Sequence, residues 1–134
     1  MSTHIAHCTH MPRHELRKHR QCLGKTGETL AKQHFLKLGY TVCAENWWTR
    51  FGEIDLVVAQ GDTCVAVEVK TRTSEHLGSG FEAITEVKLR RLRSLFAMWL
   101  SEQCHSYHNI RIDAVLVLLP RQKEPRIEHL IGVS

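Results

Sequence analysis

The chain has no apolar run long enough to cross a bilayer, and its start lacks the apolar segment of a secretory signal. A soluble, cytoplasmic protein that makes no membrane contact is therefore expected. Its five cysteines, Cys8, Cys22, Cys43, Cys64 and Cys104, are odd in number and include no C-x-x-C pair, which argues against a disulfide framework and for a reducing compartment. There is no internal repeat. What remains is an ordinary globular composition: 134 residues, 43% hydrophobic and 24% charged, the size of one domain that hides roughly two-thirds of its unfolded surface and needs no covalent staple.

The formal charge is +4 with ten histidines uncounted, and the sequence pI is about 8.9. Such a balance favours an anionic partner, of which nucleic acid is the usual one, although a basic surface also serves solubility. Residues 1–23 are rich in His and Arg and have no sustained apolar period. They are expected to form a disordered tail ahead of a domain over residues 24–134. His4, His7 and His10 with Cys8 have a spacing able to grip a transition metal, but on a tail such groups are more often solvated.

From Gly24 the patterning sharpens. Leu30, Ala31, His34, Phe35 and Leu38 have helical spacing and Gly39 supplies a stop, predicting a helix over Lys25–Leu38. Strands are predicted over Tyr40–Trp48, Gly52–Ala59 and Thr63–Thr71, the last two joined by Gly61-Asp62 as a hairpin. Thr85 can cap a second helix with Val87, Leu92, Leu95, Phe96 and Trp99 on its apolar side. Ile112–Leu119 and Arg126–Ile131 read as further strands. The order α-β-β-β-α-β-β defines an α/β fold, a mixed sheet flanked by helices.

Acidic residues interrupt segments that otherwise read as buried strand: Glu53 and Asp55 in Gly52–Val58, and Glu68 with Lys70 in Val65–Arg72. With Gly61-Asp62 as a two-residue turn, Gln60 pairs with Thr63, and counting outward places Asp55 opposite Glu68 and Glu53 opposite Lys70. Opposed residues on one face have Cβ atoms about 5 Å apart, so the two carboxylates repel unless a cation joins them or one holds a proton. A salt-bridge cluster in which Glu53 pairs with Lys70 is the structural alternative. A hard divalent ion, Mg²⁺ or Mn²⁺, answers the repulsion with oxygen ligands, and Lys70 would then orient a water or stabilise charge on a phosphoryl group.

The arrangement of Asp55 followed by Glu68-Val69-Lys70 on a hairpin after a helix resembles the D-(x)n-E-x-K core of the PD-(D/E)XK nuclease superfamily. Gly24-Lys25-Thr26-Gly27-Glu28, Gly39-Tyr40, Glu45-Asn46-Trp47, Arg50-Phe51-Gly52-Glu53-Ile54-Asp55-Leu56, Val67-Glu68-Val69-Lys70-Thr71-Arg72, Lys88-Leu89-Arg90-Arg91-Leu92 and Arg126-Ile127-Glu128-His129 resemble the YraN family of uncharacterised bacterial proteins, over residues 24–134. The resemblance implies a restriction-endonuclease-like fold similar to archaeal Holliday-junction resolvases. It further implies metal ligands at Asp55 and Glu68, with the Val69 carbonyl as a third, and a catalytic carboxylate at Glu28. Ile54 stands where the superfamily name has Pro. Resolvases of this fold work as dimers, so a homodimer is part of the expectation.

Other residues carry two readings each. Glu28 in the first turn of the predicted helix also suits the helix dipole. Lys88 and Arg91, one helical turn apart, and Arg72 after the third strand are candidate phosphate contacts or simply a solvated face. Trp47 and Trp48 offer a ring for base stacking, with core packing the expected role for both. Thr73–Gly80 suits a loop over the site, and Cys43 and Cys64 suit small core positions. The function this sequence favours is metal-dependent endonucleolytic cleavage of DNA, branched or structured DNA included. A nucleic-acid-binding protein of the same fold without turnover is the alternative, and a protein-interaction subunit a third.

Overall fold

In the computed structural model, which describes residues 13–73 and 84–133, the expected order of elements is realised. Helix α1 spans Arg13–Lys37, followed by β1 (Thr41–Thr49), β2 (Gly52–Gln60) and β3 (Thr63–Arg72). Helix α2 spans Glu86–Ser101, and β4 (Asn109–Leu118) and β5 (Arg126–Leu130) complete the domain. The five strands form one sheet in the order β1-β2-β3-β4-β5. All neighbours are antiparallel except β3 and β4. Parallel neighbours need a crossover, and α2 lies within it.

Each helix covers one face. Ala31 and Phe35 of α1 pack on Leu56, Val58, Val65, Val67, Val115 and Val117. On the opposite face Leu89, Leu92, Leu95, Phe96 and Trp99 of α2 pack on Ile54, Val57, Cys64, Ala66 and Ile112. Burial on both sides explains why β4 reads as an almost unbroken apolar run. The Thr85 cap forms as expected, its hydroxyl accepting the Lys88 N–H at 3.2 Å. Val87, expected on the apolar side of α2, is instead 65% exposed, and Leu89 takes the buried position.

The one charged residue among the buried described positions, Asp113 in β4, is fully enclosed. Its carboxylate accepts Arg111 Nε at 2.7 Å and Nη2 at 2.9 Å, the Gly132 N–H at 3.0 Å, and lies 2.7 Å from His129 Nε2. Arg111 also donates to the Tyr40 hydroxyl, and His129 meets His34 of α1 at 3.0 Å. Burial alone would raise the Asp113 pKa, but these donors outweigh it and hold the carboxyl below its ordinary range. The network ties α1, β4, β5 and the chain end together at the sheet edge remote from β1.

Helix α1 begins at Arg13 and not at Lys25, so Arg13–Leu23 are helical where a disordered tail was expected. The described side chains from Arg13 to Cys22 are exposed. These exposed side chains need no apolar stripe, and the Arg, Lys, Gln and Glu among them sustain the helix through propensity. His4, His7, Cys8 and His10 lie outside the described residues, as does the 74–80 part of the predicted loop.

Candidate active site

The turn at Gly61-Asp62 sets the register of the β2–β3 hairpin as counted, from Gln60 against Thr63 to Leu56 against Val67. There the ladder stops. The Val69 N–H is bound not by a main-chain carbonyl but by the Asp55 side chain, Oδ2 at 2.9 Å. Strand β2 also turns over at this point: Leu56 and Val58 face α1 and Val57 faces α2, yet Ile54 lies in the α2 core where strict alternation would send it to the other face. The same level is irregular in β1. Glu45 pairs with Leu56 and Trp47 with Ile54, while Asn46, with φ of 48°, interrupts the regular pairing opposite Asp55.

This break lets Asp55 meet a carboxylate of its own strand and one from α1. Oxygens of Glu28 in α1 and of Glu53 and Asp55 in β2 all lie within 4.8 Å of one another. Asn46, its amide nitrogen facing the acids, donates to Glu28 Oε1 at 3.0 Å and to Glu53 Oε1 at 3.2 Å. Helix α1 approaches closely enough to deliver Glu28 because Gly27 is bare: a Cβ there would overlap the Thr71 side chain of β3. A cleft of about 500 Å³ opens beside the cluster, lined by Glu28, Asp55, Glu68, Val69, Lys70 and Arg72 among others. A smaller recess of about 170 Å³ adjoins it between the β1–β2 hairpin and α2, lined by Glu53, Glu68, Lys70, Lys88 and Arg91. Gly52 forms its wall, with φ of 141° and a virtual Cβ 3.1 Å from Leu95 Cδ1.

Charge in the cleft is unbalanced. Burial, then the Glu68 carboxylate, push the Asp55 pKa up to about 7; the Val69 N–H opposes them, and Glu28 and Glu53 add to the rise. Glu28 is raised by burial and by Glu53, against the bond from Asn46. The salt bridge weighed between Glu53 and Lys70 is not the one that forms. Lys70 Nζ lies 3.4 Å from Glu68 Oε1, and Glu53 faces the acids and Asn46. Lys88 of α2 stands beside Lys70, whose ammonium is the largest cause of its lowered pKa, followed by burial; Arg72 adds to it and Glu68 opposes it. Acids and cations thus line the cleft and its adjoining recess together.

The predicted site residues therefore come together: Glu28, Asp55, Glu68, Lys70 and Arg72 in the cleft, Glu53, Lys88 and Arg91 in the adjoining recess. The tightest group of acids is Glu28, Glu53 and Asp55, whereas the sequence pointed first to Asp55 with Glu68. Val69 enters through its N–H. Asn46 was missed as a site residue, although Asn is among the residues that tolerate a left-handed backbone within a strand. Of the paired tryptophans only Trp47 packs on the core; Trp48 is 71% exposed. Cys64 is buried as expected, but Cys43 is exposed.

Among the described residues, fold and site define an α/β protein of five-stranded mixed sheet with a helix on each face, consistent with a nuclease-like fold, whose sheet opens into a cleft lined by acids and cations. The chain belongs to Uncharacterised protein family UPF0102, whose profile matches residues 27–117, in agreement with the YraN-like motifs. A UPF0102 protein of Renibacterium salmoninarum is 48% identical over 112 residues, covering 84% of this chain and 95% of the relative. Those of Mycolicibacterium vanbaalenii and a Nocardioides species are 41% and 40% identical, each covered over 93% of its length by 84% and 86% of this chain. Among the described residues no helix is long and apolar enough to cross a membrane.

Proposed function

We propose that this protein is a divalent-metal-dependent endonuclease of the cytoplasm, hydrolysing phosphodiester bonds in DNA, with branched or otherwise structured DNA the preferred class. The observation that carries the reading is the convergence of Glu28, Glu53 and Asp55, from two elements, beside Glu68 and Lys70. The donor set is all oxygen, held together against its own repulsion, and such a set fits Mg²⁺ or Mn²⁺ better than a soft metal. Asp55 and Glu68 would hold the ion, with Glu28 and the Val69 carbonyl as further oxygens. When bound, the ion supplies Lewis-acid polarisation of the phosphoryl group and a more acidic water.

The chain's own residues have separable tasks. Lys70, fixed by Glu68, presents an ammonium toward charge that develops on the phosphoryl oxygens. Lys88, Arg91 and Arg72 line the opening where flanking phosphates would lie and set register without reading sequence. Asn46 keeps Glu28 and Glu53 aligned by bonding both. A pure nucleic-acid binder has no use for carboxylates that repel phosphate, which favours turnover over binding alone. A homodimer would place two such clefts on two strands.

The direct test is a cleavage screen of single-stranded, duplex and branched DNA and of RNA with Mg²⁺ or Mn²⁺, wild type beside Asp55→Ala. Metal-dependent cleavage of DNA that the variant lacks is the expected result. Absence of cleavage of every substrate, or equal cleavage by the variant, refutes the proposal.

A further inference from the structure

Trp48 is the least buried of the large apolar side chains described, 71% exposed, next to a neighbour, Trp47, that packs on the core. Its position is not incidental to the site. Trp48 pairs across the β1–β2 ladder with Glu53, and paired residues project from the same face with Cβ atoms about 5 Å apart. Glu53 is a member of the acid cluster and also lines the recess with Lys70, Lys88 and Arg91. The turn that follows continues the theme: Phe51 is 59% exposed and the Arg50 guanidinium lies 4.8 Å from its ring centre. An unburied indole is thus the cross-strand partner of Glu53, an acid whose recess is also lined by Lys70, Lys88 and Arg91.

Leaving a tryptophan in water forfeits the burial of a large apolar surface, so an indole held there by regular strand pairing is available to a ligand that is itself flat and apolar on its faces. The cations of the recess that its partner Glu53 lines favour a ligand that carries negative charge. A nucleobase attached to its phosphate meets both requirements, and base–aromatic stacking tolerates any base. Duplex DNA hides its base faces, so only an unpaired nucleotide can use the ring.

We propose that Trp48 stacks on an unpaired base next to the phosphate that enters the cleft, so that the preferred substrate is single-stranded or locally splayed nucleic acid, not continuous duplex. This rests on the nucleic-acid reading given above. Phe51 with Arg50 extends the same platform along the strand.

The test uses the full chain with divalent metal chelated, so that binding is read without cleavage, and fluorescently labelled DNA as a single strand, a blunt duplex and a splayed duplex. Anisotropy titrations should show Trp48→Ala weakening the single-stranded and splayed probes about tenfold, with the blunt duplex unchanged. Trp48→Phe should retain most of the affinity. Equal affinity of wild type and Trp48→Ala for all three probes, equal losses on all three, or no binding of any probe by wild type each overturns the proposal. Addition of Mg²⁺ or Mn²⁺ separates the two claims. Stacking-dependent binding without cleavage removes the endonuclease and keeps the platform, whereas cleavage indifferent to Trp48 does the reverse.

Discussion

Replacing Asp55 by Asn should make the metal-free protein more stable, because the site holds a carboxyl that its surroundings disfavour as an anion. Burial and the Glu68 carboxylate move its half-ionisation from 3.8 to about 7. At 1.36 kcal/mol per pH unit that corresponds to about 4 kcal/mol once the group is ionised, and screening in an open cleft brings the expected gain to about 1–3 kcal/mol. Asn keeps an oxygen to accept the Val69 N–H, so the bond that terminates the hairpin ladder survives. The sign follows from proton binding. Between pH 3.8 and about 7 the folded chain retains a proton that the unfolded chain has released, so this group makes wild-type stability fall as pH rises and adds no further slope above 7. Denaturant unfolding with metal chelated should therefore show the variant's advantage as small near pH 4, growing through pH 7 and constant at pH 8. Millimolar Mg²⁺ should stabilise wild type by mass action and leave the variant unmoved. A variant less stable than wild type at pH 8, or a gap that does not change between pH 5 and 8, would refute the account of strained, like-charged acids.

Lys70→Ala should lower metal-dependent cleavage by about a hundredfold or more while retaining the fold and most Mn²⁺ affinity; Asp55→Ala should lose both, and calorimetry beside a cleavage assay measures the division. Lys88→Ala with Arg91→Ala should weaken DNA binding and reduce the slope of log affinity against log salt by up to about 2, read from titrations at several ionic strengths. Gly27→Ala should destabilise the chain by about 1–3 kcal/mol, since its methyl overlaps the Thr71 side chain. Adding Thr71→Ala should recover part of that loss, and additive effects in a double-mutant cycle would contradict the close approach of α1 to β3.

Short-range patterning carried much of the fold. Period-2 alternation and the Gly61-Asp62 turn gave the β2–β3 register down to Leu56 against Val67, because a two-residue turn leaves the pairing no freedom. Thr85 announced α2, and acids within apolar strands pointed to the candidate site, because an acid in a buried strand is costly unless it is paired or has a task. Arg13–Leu23 escaped because a solvated helix segment has no apolar period to detect. Trp48 escaped because alternation says which residues share a face, not which positions on that face lie beneath the covering helix.

What the sequence by itself determined was the order of strands and helices, the hairpin register from Gln60 against Thr63 to Leu56 against Val67, and Asp55, Glu68 and Lys70 as candidates, since these rest on interactions between residues close along the chain. Tertiary structure alone decided that Glu28 reaches Asp55 past a bare Gly27, that Asn46 bridges Glu28 and Glu53, and that Lys70 takes Glu68 rather than Glu53. Those outcomes depend on where a helix lands on a sheet and where a ladder breaks. Both are set by packing of the two cores across the whole domain, and no local pattern encodes that packing.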